Sequence, residues 1–83
     1  MEKTKPKEKL LSIKKCRSSM GYFTNNDMAK MFADHDLQMT RQTYSNKETG
    51  RRGSKFTVKE IQILAEVFGM DLAETIHLFN DWD

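Results

Sequence analysis

The segment Thr40-Arg41-Gln42-Thr43-Tyr44-Ser45-Asn46-Lys47-Glu48-Thr49-Gly50 carries its own start and stop signals. A threonine hydroxyl just before a helix accepts one of the backbone N–H groups that the first turn leaves free. Thr40 therefore caps a short helix over residues 41–48, which stops at Thr49 and Gly50. The side chains of this helix do not suit a packed interior. Arg41, Gln42, Ser45 and Asn46 are all types that hydrogen-bond base edges or phosphates, and Tyr44 alone offers a large ring to a core.

The elements on either side follow from the same rules. Thr24 caps a preceding helix, with Asp27 placed to favour its positive end and Met28, Met31 and Phe32 forming an apolar stripe. Ala29 is small enough to let a neighbouring helix approach. Ala33 to Gln38 reads as a polar connector. After Gly50 the linker Arg51-Arg52-Gly53-Ser54-Lys55 is basic and able to turn. Thr57 then caps a fourth helix, with Glu60 in capping-box position and Phe56 and Ile61 placed as a hydrophobic staple. Ile61, Leu64, Ala65 and Phe68 keep a period of 3.6 up to Gly69. Asp71 opens a fifth helix with a stripe of Leu72, Ile76 and Phe79. Near the start, Leu10, Leu11, Ile13, Cys16 and Met20 give a helix over residues 8–20, closed by Gly21. Pro6 disfavours helix before it, so residues 1–7 read as a flexible basic arm and residues 8–83 as a single domain. No segment alternates with period 2, and the expected architecture is an all-α five-helix bundle.

Composition narrows the class further. The chain has 83 residues, 37% of them hydrophobic and 31% charged, with a mean hydropathy of −0.74. That is enough apolar surface for one core and too little length for two. No run approaches the roughly 20 apolar residues of a membrane span, and no apolar stretch follows the basic start as in a secretory signal. The expected setting is cytoplasmic, with no membrane partner. The single Cys16 gives neither a disulfide nor a zinc site, so no cofactor or metal is expected. Asp34-His35-Asp36 holds groups that could ligate or transfer protons, but adjacent residues diverge on a connector, and an enzyme is not expected. The methionines other than the first read as gap fillers in the core, Cys16 as a buried small side chain, and His77 as an exposed helix residue. Trp82 either folds back or meets a second subunit.

Net charge is only +2, but it is unevenly placed. Residues 1–20 carry +5, residues 21–39 −2, residues 40–60 +4 and residues 61–83 −5. A basic middle beside an acidic end can present one face to a polyanion and turn the other away.

Two capped helices joined by a connector, the second rich in base-reading side chains, make the stretch from Phe23 to Gly50 similar to the XRE-type helix-turn-helix family. That family includes phage Cro proteins and the N-terminal domains of phage repressors. The segment Thr40 to Asn46, together with Glu48 and Gly50, is close to the family wording, and the likeness extends over about Ile13 to Phe79. The resemblance implies a lambda-repressor-like fold and a transcriptional regulator that sets residues 41–48 in the major groove of operator DNA. It further implies a two-fold dimer on half-sites about 34 Å apart. Arg41 would pair with guanine, Gln42 with adenine, and Ser45 and Asn46 would complete the base-reading face. Thr43, Arg51, Arg52, Lys55 and Lys59 would hold the phosphate backbone, with Asn25 at the place where the family has a backbone-gripping glutamine. Arg17 aligns with a family arginine that pairs with the glutamate closing the third helix, here Glu48, as a structural pair. Bound to its operator, such a protein would lie with the nucleoid of a bacterial host.

A second reading belongs to a different class. The connector is about five residues longer than the family's tight turn, Lys47 stands where a large apolar side chain is usual, and the net charge is modest. These features suit an antirepressor, which would bind a partner repressor protein through the same surface.

Overall fold

A computed structural model describes residues 5–80, and every described element is helical. Five α-helices follow one another: α1 (Lys7–Ser19), α2 (Asn25–Asp34), α3 (Arg41–Thr49), α4 (Val58–Phe68) and α5 (Leu72–Phe79), with a single 3₁₀ turn over Arg51–Gly53. The main packings are α2 on α3, α4 on α5, and α1 on α5.

Local chemistry fixes the helix starts. Thr24 and Thr57 each accept a hydrogen bond from the backbone three residues on, while Asp27 and Glu60 reach back to the cap, so both helices open with a complete capping box. Thr40 Oγ1 accepts from the Thr43 N–H, and Asp71 Oδ1 from the Glu74 N–H. The Asp27 carboxyl is held below the usual aspartate range, chiefly by the backbone N–H of Thr24.

The connector after α2 has a defined shape. The Asp36 N–H donates to Ala33 O and the Leu37 N–H to Phe32 O, at 3.1 and 3.0 Å, with Asp36 left-handed at φ 60°. This is a Schellman stop built on aspartate rather than glycine. It turns Leu37 back against the core, so the segment is only partly the polar connector its composition suggests.

At the centre lie Ile13, Met28, Phe32, Tyr44, Leu64 and Phe79, all fully buried, with Phe56 among them. The Phe56 ring stands 6.3 Å from Phe32, 5.7 Å from Tyr44 and 5.6 Å from Phe79, centroid to centroid. The Asn80 side chain clamps it from behind, accepting from the Phe56 N–H at 2.9 Å and donating to the Phe56 carbonyl at 3.0 Å.

Several sequence expectations need correction. The loose arm does not extend through residue 7. Lys5 is 3% exposed, its N–H donates to Thr49 O at 3.0 Å, and α1 begins at Lys7. Residues 1–4 of that arm, and Trp82, lie outside the described residues. In α1 the buried face is Ile13 and Arg17. Leu11 sits some 160° around the helix from Ile13 and is exposed, while Met20 lies past the last turn and is exposed as well. Cys16 is half-buried, and desolvation pushes its thiol up from the ordinary value. In α5 the buried face runs through Thr75 and Phe79, with Leu78 beside it. Leu72 and Ile76 remain about half exposed and border a shallow apolar groove of about 140 Å³ with Val58, Ile61 and Phe56.

Lys5 has a measurable consequence. Its ammonium lies buried, 5.6 Å from the Phe56 ring centre, and Nζ makes no hydrogen bond among the described residues. Desolvation outweighs the attraction of Glu48 and lowers its pKa from 10.5 to about 8. Below pH 8 the amine is charged in both folded and unfolded chains, and folding carries the full desolvation cost. Between about 8 and 10.5 the unfolded chain binds the proton more tightly, so this contribution to stability rises with pH. Lys5→Met is expected to stabilise the fold by about 1–3 kcal/mol at pH 7. Urea titrations of both proteins at pH 7, 9 and 10.5 should show the gap closing. A constant gap would refute the assignment.

Candidate nucleic-acid interface

The α3 helix divides its residues between two faces. Tyr44 and Glu48, one turn apart, point into the protein and are buried, whereas Arg41, Gln42 and Thr43 are exposed and Ser45 and Asn46 half-exposed. Of the four side chains expected to read bases, Gln42 and Asn46 lie on the face opposite Tyr44 and Glu48, Ser45 sits at its edge, and Arg41 is exposed at the helix start on the Glu48 side. Gln42 Nε2 donates to Asn46 Oδ1 at 3.1 Å, and Thr43 Oγ1 accepts from the Thr40 hydroxyl at 2.9 Å.

The inner face is held by charge. Arg17 Nη1 lies 2.8 Å from Glu48 Oε1, with both side chains at 10% exposure or less. The same nitrogen donates to Asn25 Oδ1 at 3.1 Å, and Arg17 Nε donates to Tyr22 O at 3.2 Å. Tyr44 OH donates to Glu48 Oε1 at 3.2 Å. One guanidinium therefore ties together the end of α1, the start of α2 and the end of α3. Burial raises the Tyr44 phenol well above its ordinary value, and the charge of Glu48 adds to the effect. Asn25, expected at a phosphate, has its amide oxygen committed to Arg17 and keeps Nδ2 as its donor.

A second anchor was not foreseen. Lys47 Nζ stands 2.7 and 2.8 Å from the two oxygens of Glu60, whose side chain is 6% exposed. Glu60 Oε1 also accepts from the Thr57 N–H at 2.8 Å. The charge of Lys47 is thus matched by the capping box of α4 rather than left in an apolar slot. The signal in the sequence was a basic residue in the last turn of α3 together with an acidic capping-box residue thirteen positions on.

The basic linker begins directly behind α3. Gly50 closes the helix in the left-handed region at φ 73°, a conformation that costs glycine little, and Arg52 shares that region at φ 54°. Arg51, Arg52, Lys55 and Lys59 are all exposed. Arg51, Arg52 and Ser54 meet Gln42 and Asn46 around one open depression of about 220 Å³. Of the candidates, Gln42 and Asn46 are therefore neighbours of Arg51 and Arg52, whereas Arg41, Ser45, Thr43, Asn25, Lys55 and Lys59 do not line this depression.

The Asp34-His35-Asp36 group is exposed, and His35 Nδ1 lies 2.9 Å from Met31 O. Among the described residues, no three His, Cys, Asp or Glu side chains come together as metal ligands, and no helix is long and apolar enough to cross a membrane. Comparison with protein-family models, with curated proteins and with solved structures returned no match, so the reading of this surface rests on its own residues.

Proposed function

We propose that the chain is a sequence-specific DNA-binding transcriptional regulator of the lambda-repressor-like helix-turn-helix class, similar to phage Cro proteins. In this reading α2 lies across the DNA backbone and α3 enters the operator major groove. The observation that carries it is the division of α3: its Gln42 and Asn46 amides face away from the core and Arg41 is exposed at its first turn, while Tyr44 and Glu48 lock the other side inward. Such a helix meets DNA already ordered, and association loses little side-chain or backbone freedom from that source. Arg51, Arg52, Lys55 and Lys59 supply the sequence-independent attraction, and each phosphate they neutralise adds roughly 0.9 to the slope of log affinity against log salt. One nine-residue helix reads few base pairs, so a two-fold pair of copies on a palindromic site fits the reading.

The test is selection from a random duplex pool, followed by titration at two salt concentrations. A recovered consensus with a steep salt slope supports the proposal. Gln42→Ala is then expected to lose about 1–3 kcal/mol of discrimination at one base pair, with fold stability unchanged. An intact preference in that variant would remove Gln42 from base reading. The antirepressor reading retains one observation of its own: Phe23, 66% exposed, stands beside the start of α2. Recovery of no consensus, with a repressor domain bound in a Phe23-dependent way, would favour it.

A further inference from the structure

Gln42 and Asn46 both belong to the set expected to read bases, yet their side chains are bonded to each other. Gln42 Nε2 donates to Asn46 Oδ1 at 3.1 Å. A glutamine amide reads adenine with its oxygen and one N–H together, and it must face the base the right way round. Nε2 carries two hydrogens. With one engaged by Asn46, the other hydrogen and Oε1 remain as the donor–acceptor couple that adenine requires. The engaged hydrogen sets which end of the amide faces Asn46, and Gln42 can reverse only if the Asn46 amide turns with it, presenting Nδ2 in place of Oδ1. Asn46 itself is half-buried one turn deeper, and its oxygen is turned along the helix toward Gln42.

We infer that Asn46 is a positioning residue rather than a reader: it holds the Gln42 amide along the helix with one N–H and Oε1 left free to face adenine. This rests on the DNA-binding reading above and deepens it. Both residues border the depression that also holds Arg51, Arg52 and Ser54, so phosphate contacts there would seat the protein while the Gln42–Asn46 pair sets the choice of base.

The experiment scores affinity against every single-base change of the selected operator for wild type, Gln42→Ala, Asn46→Ala, the double variant and Asn46→Asp. An i,i+4 amide pair on an exposed helix face adds little to stability, so thermal stability should barely move in Asn46→Ala. A positioning role predicts that Asn46→Ala loses discrimination, by a factor of roughly three to ten, at the same base pair as Gln42→Ala. The double variant should then be no worse than Gln42→Ala alone. Asn46→Asp keeps the acceptor, so it should retain the base preference while binding all sequences more weakly through its added negative charge. The inference is overturned if Asn46→Ala changes preference at a different base pair with additive effect, or if Asn46→Asp loses the Gln42 position. If wild type selects no sequence at all, the DNA-binding reading fails first and the inference goes with it.

Discussion

Arg17→Met is expected to destabilise the fold by about 3–5 kcal/mol, the range seen when one member of a buried ion pair is removed. A chain of this size is held by roughly 4–12 kcal/mol in total, so the loss takes a large share of the whole. The cause lies in what is left behind. Glu48 would stay buried with the Tyr44 hydroxyl and the neighbouring Lys5 ammonium as the groups on its charge, and Asn25 Oδ1 and Tyr22 O would each lose a donor. Neutralising both members in Arg17→Met/Glu48→Leu should recover part of the loss, since neither member of the pair is then left without its partner. Equilibrium urea denaturation of the four proteins of this cycle gives the comparison. Equal stabilities of Arg17→Met and wild type would mean that Glu48 is solvated, contrary to its burial.

Phe56→Ala should cost a comparable 3–5 kcal/mol, the usual range for emptying a buried aromatic site. Phe56 enters the core from a loop, yet three other rings pack on it, one each from α2, α3 and α5. Asn80 pins its backbone by two hydrogen bonds, so the site cannot easily collapse to fill the gap. Phe56→Leu retains most of the volume and should cost less than half as much. Thermal unfolding of the two variants tests the ranking. If both lose the same amount, retained volume counts for nothing and the ring contacts carry the whole effect.

Much of this architecture was legible in the residues, and the misses share physical causes. Caps were readable because Thr24, Thr40, Thr57 and Asp71 act on their own next turn, with no help from distant parts of the chain. Met28, Met31, Phe32 and Tyr44 were readable as core because α2 and α3 each bury one well-separated face. The stripes of α1 and α5 misled because periodicity gives a face but not how far a partner covers it; Leu11, Leu72 and Ile76 lie beyond that cover. Lys5 gave no local signal, since its burial comes from Thr49 and Phe56, more than forty residues away. The Lys47–Glu60 pair joins separate helices and needed the fold to be seen. The outward residues of α3 were identifiable, but the bond between Gln42 and Asn46 depends on rotamers that sequence does not specify.

The third helix is pinned from α1 through Arg17 and from α4 through Glu60, and neither tie passes through the loop that leads into it. Loop length and helix aim are therefore separate variables here. A residue inserted or removed after Leu37 should leave the outward-facing amides on the same bearing, because α3 is set by its clamps rather than by its hinge.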